Sequence, residues 1–305
     1  MIIVLVGPTA VGKSSLAVEV AATMINNGRP AEIVNADSML VYRGMDIGTA
    51  KPTMDERGGI THHLIDVLDI SDSATVADFQ QMARTVINSS LAAGVTPILV
   101  GGSFLYVRAI VDEFSFPGTD PDLRAELEAE LEQIGAPALH ARLAARDPEA
   151  AASILPTNGR RIVRALEVIM ITGEPYSGSL PSHQYALPDV VQVGVDAPRD
   201  WLDERIERRV QQMWADGFVD EVRRLEAAGL REARTARVAI GYRQVLEFLA
   251  GEITEAEAMR RTVVLTRRFS RKQGGWYRRD DRVHWLDART ATAADVITTA
   301  DRALA

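Results

Sequence analysis

A chain of 305 residues with 47% hydrophobic content and a formal charge of −8 can bury a sizeable core in roughly two domains, and is too acidic overall to be a general polyanion binder. It has no cysteine, which excludes disulfides, a cysteine nucleophile and thiolate-held zinc. No apolar run approaches the ~20 residues needed to cross a bilayer, and the chain opens directly on a strand with no secretory leader, so a soluble cytoplasmic protein with no membrane contact is expected.

Ile2-Ile3-Val4-Leu5-Val6 reads as a buried strand. The next residues, Gly7-Pro8-Thr9-Ala10-Val11-Gly12-Lys13-Ser14, fit G-x-x-x-x-G-K-[ST], and a helical pattern follows with Leu16, Ala17, Val20, Ala21 and Met24 on one face. Strand, glycine-rich turn and helix form the setting in which this motif cradles phosphate. The glycines let backbone N–H groups turn inward, and the helix start adds partial positive charge. Lys13 then reaches the outer phosphates and Ser14 can hold Mg²⁺. A chance glycine turn is the weaker reading, given those flanks.

Glu32 to Ala36 is a second strand, ending at Asp37-Ser38, which places both at the carboxyl edge of a sheet beside the phosphate loop. A polar loop runs from Tyr42 to Pro52, and His62 to Val67 reads as a short strand. Ala74 to Ala93 is a helix with Phe79, Ala83 and Ile87 inward, stopped by Gly94. Pro97-Ile98-Leu99-Val100 is an apolar strand ending in Gly101-Gly102-Ser103. Strands alternating with helices predict a parallel, helix-covered α/β sheet.

The rhythm changes after Asp112. Residues 113–188 read as a helical insertion, with Leu123, Leu127 and Leu131 on one helix, Leu139 and Leu143 on a second, and a third from about Gly159 to Ile171 that is stopped by Gly173. The core domain is then 1–112 together with 189–305. Val190 to Val195 returns to the sheet, and Asp200 to Ala215, Phe218 to Ala228 and the segment opened by Ala239-Ile240-Gly241-Tyr242 are helices. Thr254 to about Gln273 is a long basic helix that Gly274-Gly275 is expected to end or kink. Val283 to Leu286 is a last strand, and Ala293 to Leu304 a closing helix.

Several residues carry candidate chemistry. Asp37 reads as a turn cap, a metal-shell acid or a general base beside the phosphate site. Phosphoryl-transfer enzymes usually end a core apolar strand in a metal-holding acid, and here Gly101-Gly102-Ser103 stands instead, which weakens a kinase reading without removing it. Arg205, Arg208 and Arg209 share a helix with Asp203, Glu204 and Glu207, the pattern of a solvated, ion-paired face. Arg160, Arg161 and Arg164 show no such balancing acids. Between Arg260 and Arg282 there are eight Arg and one Lys, interleaved with Phe269, Trp276 and Tyr277, a pattern equally compatible with a nucleic-acid surface and a solvated helix. His62, His63, His140, His183 and His284 show no metal-ligand spacing.

Together these blocks resemble the tRNA dimethylallyltransferase family across nearly the whole chain. The matching stretches are Gly7 to Ser14, Asn35-Ala36-Asp37-Ser38-Met39-Leu40-Val41-Tyr42, Asp46-Ile47-Gly48-Thr49-Ala50-Lys51-Pro52, Val100 to Ser103 with Leu105-Tyr106, and Arg161 with Arg164 to Val168. Thr172-Gly173 with Pro175, Arg209-Val210 with Met213, Ile240-Gly241-Tyr242-Arg243, and Thr266-Arg267 through Lys272-Gln273 to Trp276 complete the set.

The resemblance implies a P-loop NTPase-like core with helices on both faces. It also implies transfer of a dimethylallyl group from dimethylallyl diphosphate to the N6 amine of the adenosine 3′-adjacent to the anticodon. Asp37 would be the base, with Lys13, Ser103 and Arg209 as further catalytic groups. Gly7, Pro8, Thr9, Ala10, Val11, Gly12, Lys13 and Ser14 would hold the diphosphate, with Mg²⁺ on Ser14. The tRNA would be touched by Asp37, Ser38, Met39, Leu40, Ser103, Arg124, Arg160, Arg161, Ile162, Val163, Arg164, Gly241, Tyr242, Arg243, Arg267, Arg271, Lys272, Gln273, Trp276 and Arg278. A monomer is expected. Leu40 replaces a frequent Gln, and Ser103 a common Thr. A prenyltransferase for free adenine nucleotides and a small-molecule or nucleoside kinase are the competing readings.

Overall fold

The computed structural model describes residues 1–72, 75–114, 116–176 and 184–305. Six strands form one parallel sheet: β1 (Ile2–Val6), β2 (Ala31–Asn35), β3 (His62–His63), β4 (Thr96–Gly101), β5 (Val190–Asp196) and β6 (Val283–Asp287), in the order β3-β2-β4-β1-β5-β6. All five side chains of β1 are fully buried, the signature of a central parallel strand covered on both faces. Ile3, Leu5, Ile33, Ile98, Val191 and Val193 face one cluster with α1 (Lys13–Asn26) and α12 (Ala293–Ala303). The alternate residues Val4, Val34 and Leu99, equally buried, face the other side, covered by α2 (Val76–Ala92) and α3 (Phe104–Val111).

Because every strand is parallel, the carboxyl ends of β1, β2, β4 and β5 share one edge. Around that edge lie α8 (Arg199–Ala215), α9 (Phe218–Ala227), α10 (Tyr242–Leu249) and α11 (Glu255–Tyr277). The chain divides into two compact units, 1–111 with 187–305, and 112–186. The second contains α4 (Pro121–Ile134), α5 (Ala136–Arg146), α6 (Pro148–Ser153) and α7 (Gly159–Thr172), packed around Leu127, Leu139, Leu143, Ile162 and Leu166.

Two expectations are corrected. The strand expected over His62 to Val67 stops at His63, because Leu64 and Asp66 take left-handed backbone, φ 61° and 57°, that cannot continue a ladder. Gly274-Gly275 does not end α11, which runs on to Tyr277. Two glycines cost a helix interior about 1 kcal/mol each. The fully buried Tyr277, set edge-on against Phe104 at 5.3 Å, offsets that cost. The helix expected from Ala74 begins at Val76 behind a Thr75 capping box; Ala74, like His183, lies outside the described residues.

Candidate active site

The phosphate loop is shaped by backbone that side chains resist. Gly7 and Gly12 have φ 145° and 105°, and a Cβ on Gly7 would sit 2.2 Å from the Val195 carbonyl oxygen. Gly12 caps α1 without a side chain, so the first-turn N–H groups face the loop uncovered, ready for an anion. Lys13 Nζ folds back to donate to the Pro8 carbonyl at 2.7 Å. Burial, reinforced by the Arg209 charge and opposed by Asp37, lowers the Lys13 ammonium to about 7. Arg209 is pushed down by burial and by Arg205, while Asp37 pulls it up. Three cations and one carboxylate thus converge before any ligand arrives, an arrangement suited to a polyanion.

Asp37 follows β2. Asn35, buried in that strand, builds its turn: Oδ1 accepts from the Asp37 N–H at 2.8 Å, and Nδ2 donates to the carbonyls of Asp37 and Leu64. Asp37 Oδ1 accepts from the Met39 N–H at 2.9 Å. Its other oxygen accepts nothing from the described residues. Asp37 is therefore a turn cap, one of its three sequence readings, that keeps one carboxylate oxygen open.

The end of β4 has no room for an acid. A Cβ on Gly101 would meet Ala36 at 2.7 Å, and one on Gly102 would meet Gln273 Nε2 at 2.3 Å. Gln273, buried on α11, accepts from the Thr9 N–H at 2.8 Å and so ties that helix to the loop. Arg205 Nε donates to the Ala10 carbonyl at 2.8 Å while its guanidinium lies over Trp201. A cavity of about 460 Å³ opens among these groups, lined by Thr9, Ala10, Gly12, Lys13, Ser14, Asp37, Leu40, Gly101, Gly102, Arg205, Arg208, Arg209, Phe269 and Gln273, with Thr49, Ala50 and Pro52 along another wall.

Arg205 was the residue sequence pattern misjudged. Its helix carries as many acids as arginines, but two of those acids turn the other way. Asp203 and Glu207 accept from Arg271 and Arg267 of α11, at 2.8 and 2.7 Å. The basic stripe is correspondingly less free than its sequence suggests. Arg260 and Arg261 pair with Glu257, Arg278 with Asp196, and Arg282 with Asp280. Arg268, Lys272 and Arg279 are exposed and unpaired among the described residues, and Trp276, 40% exposed, stacks on Phe104.

Other expected tRNA contacts have inward roles. Ile162 and Val163 are core residues of the insertion. Arg124 and Arg164, the latter without a balancing acid in the sequence pattern, both bond to the buried Glu167 carboxylate, at 2.5 and 2.8 Å. Burial alone would raise that carboxyl; the two guanidiniums hold it below the ordinary carboxylate range. Arg160 and Arg161 stay exposed. Gly241 and Tyr242 are buried, and exposed Arg243 pairs with Glu247. Ser103 accepts the Val107 N–H through its carbonyl and does not line the cavity, nor do Gly7, Pro8, Val11, Ser38 and Met39. Among the histidines, His62 and His140 bond to backbone carbonyls and His63 to Glu32. Among the described residues no three His, Asp or Glu side chains are grouped to hold a metal, and no helix is long and apolar enough to cross a membrane.

A parallel sheet whose first strand feeds a glycine-rich anion loop, with the ligand cavity at the strands' carboxyl ends, defines a P-loop α/β enzyme core. Within that class, residues 40–280 match the IPP transferase family, and the chain belongs to it; it is a prenyltransferase. It is 62% identical to a tRNA dimethylallyltransferase of Thermobifida fusca, covering 93% of this chain and 89% of the relative. To one of Streptomyces avermitilis it is 59% identical, with 97% and 93% covered. The crystal structure of full-length tRNA isopentenylpyrophosphate transferase from Bacillus halodurans superposes with a TM-score of 0.71 at 39% identity, covering 99% of this chain and 95% of that one.

Proposed function

We propose that this chain transfers a dimethylallyl group from dimethylallyl diphosphate to the N6 amine of the adenosine 3′-adjacent to the anticodon of tRNA, acting as a cytoplasmic monomer with Mg²⁺. The observation that carries the reading is a single cavity holding an anion loop, three converging cations and a carboxylate with an open oxygen, with glycines in place of an acid at the end of β4. A kinase needs an acid near the transferred phosphoryl group to hold metal; a prenyl transfer needs a clamp for a leaving diphosphate and a base for an amine.

The step balances within those groups. The N6 nitrogen forms a bond to the allylic carbon, and the carbon–oxygen bond to diphosphate breaks with its electron pair leaving on oxygen. The N6 proton goes to the open oxygen of Asp37. Lys13, Arg209 and the N–H groups at the start of α1 meet the charge that gathers on diphosphate; fixed donors of this kind lower barriers by ~3 kcal/mol each. The Ser14 hydroxyl, at the start of α1 and without a hydrogen-bond partner among the described residues, fits a magnesium ligand, and Ser14 with the diphosphate itself would hold the ion. When bound, Mg²⁺ supplies further neutralisation of the diphosphate.

The target base leaves the anticodon-loop stack to reach Asp37, at a cost of a few kcal/mol. Exposed Arg268, Lys272 and Arg279 supply phosphate contacts, and Arg160 and Arg161 of the insertion offer two more. The test is transfer of label from dimethylallyl diphosphate, with Mg²⁺, into unmodified tRNA. Label entering AMP alone, or no transfer with ATP hydrolysis, overturns the reading.

A further inference from the structure

The wall of the cavity formed by Thr49, Ala50 and Pro52 is held from behind by a carboxylate that no step above uses. Glu221, on α9, is 1% exposed. Its Oε2 accepts the N–H groups of Asp46 and Ile47 at 3.0 and 2.7 Å, and its Oε1 accepts the Gly48 N–H at 3.2 Å and the Tyr242 hydroxyl at 2.6 Å. Three consecutive amides on one buried carboxylate fix a segment that has no regular structure of its own. The fit is close: a Cβ on Gly48 would lie 2.1 Å from the Phe218 ring and 2.6 Å from that of Tyr242.

The far end of the segment is anchored separately. Lys51 Nζ, buried, donates to the Tyr42 carbonyl at 2.8 Å and to Asp46 and Asp66 at 2.6 and 2.5 Å. Between the two anchors Ala50 takes left-handed backbone, φ 52°, a conformation that an alanine keeps only where its surroundings impose it. The strain falls on a residue lining the cavity.

We propose that Glu221 is a positioning residue that fixes the 46–52 wall and thereby limits the size of the allylic donor the cavity accepts. The inference rests on the function proposed above. A rigid wall beside the phosphate loop excludes a longer hydrocarbon chain by sterics, and a wall freed to move admits it. Loss of the Glu221 charge therefore relaxes selectivity more than it lowers turnover.

The test compares the five-carbon donor, dimethylallyl diphosphate, with a ten-carbon allylic diphosphate in wild type, Glu221→Gln and Tyr242→Phe. The ratio of kcat/KM values for the two donors is independent of how much enzyme is correctly folded, so a purely structural role leaves it unmoved. The expected result is at least a tenfold fall in that ratio for Glu221→Gln and a smaller fall for Tyr242→Phe, with faster amide hydrogen exchange at residues 46–48. Should Glu221→Gln fail to fold, Tyr242→Phe, which removes one donor and leaves the three amides in place, carries the measurement. Unchanged ratios in the folded variants, or unchanged exchange at 46–48, overturn the role of Glu221 while leaving the activity standing. A wild type that moves neither donor overturns the activity itself.

Discussion

Helices α8 and α11 carry arginines in opposite sequence settings, and the fold reverses what those settings imply. On α8 the acids Asp203, Glu204 and Glu207 are interleaved with Arg205, Arg208 and Arg209, a balanced composition that reads as an ion-paired face although only Glu204 and Arg208 stand four residues apart. On α11 arginines outnumber acids along the whole helix. In the folded chain the α8 acids face α11 and pin Arg267 and Arg271, while Arg205 and Arg209 are released toward the phosphate loop. The helix that looked spent turns its arginines to the phosphate loop, and the one that looked free has most of its charge engaged. Spacing along one helix states which partners are possible; the facing helix decides which are used.

That contrast breaks most visibly at the site. Replacing Asp37 by Ala should lower turnover by about 10²–10⁴-fold and leave tRNA affinity much less affected; a variant with full turnover would remove Asp37 from the mechanism. Arg209→Ala should cost about 10²–10³-fold in kcat/KM, whereas Arg271→Ala on the pinned side should cost only a few-fold. Steady-state kinetics giving equal losses would erase the distinction between the two helices.

The insertion offers the same contrast in stability. Arg164→Ala leaves the buried Glu167 carboxylate with Arg124 alone, and losing one charge-assisted partner costs about 1.5–3 kcal/mol, whereas Arg160→Ala at the surface should fall within about 0.5 kcal/mol. Denaturant unfolding reads both, and equal effects would show that Arg164 is no structural residue.

Binding should discriminate more finely. Neutralising Arg268, Lys272 and Arg279 together should weaken tRNA binding and reduce the salt slope by up to about 2–3, at roughly 0.7–0.9 per lost phosphate contact. Neutralising Arg267 and Arg271 should change it less, because those charges are already paired. An unchanged slope in the first set would make the whole stripe a solvated face.

The smallest effect is on pH. Lys13 titrates at about 7 in the free protein. A bound anion favours its charged form and raises that value, so binding takes up protons near pH 7 and diphosphate affinity falls as pH rises above it, by at most about tenfold per unit. Calorimetry in buffers of different ionisation heat should show an uptake that Lys13→Met loses. Equal uptake in both proteins would place the titration on diphosphate alone.

Much of this was legible in the chain. An apolar run, a glycine turn and an amphipathic helix follow from local sterics and periodicity, so β1, the loop and α1 were readable, and with them Lys13, Ser14 and the edge position of Asp37. The boundary of β3 was less so, because left-handed backbone at Leu64 and Asp66 leaves no mark in residue type. Passage of α11 through Gly274-Gly275 depends on Tyr277 finding Phe104, a contact 173 residues away in sequence. The roles of Arg205, Gln273 and Glu221 also required the fold. Each is an ordinary polar residue on an amphipathic helix, and each acts on a backbone group far along the chain: Ala10, Thr9, and Asp46 to Gly48. What the sequence by itself determined is the set of groups that need only their neighbours to take shape. What only the tertiary structure decided is the pairing of long charged side chains, since a guanidinium or carboxylate at the end of a flexible stem takes whichever partner the packing of the helices presents.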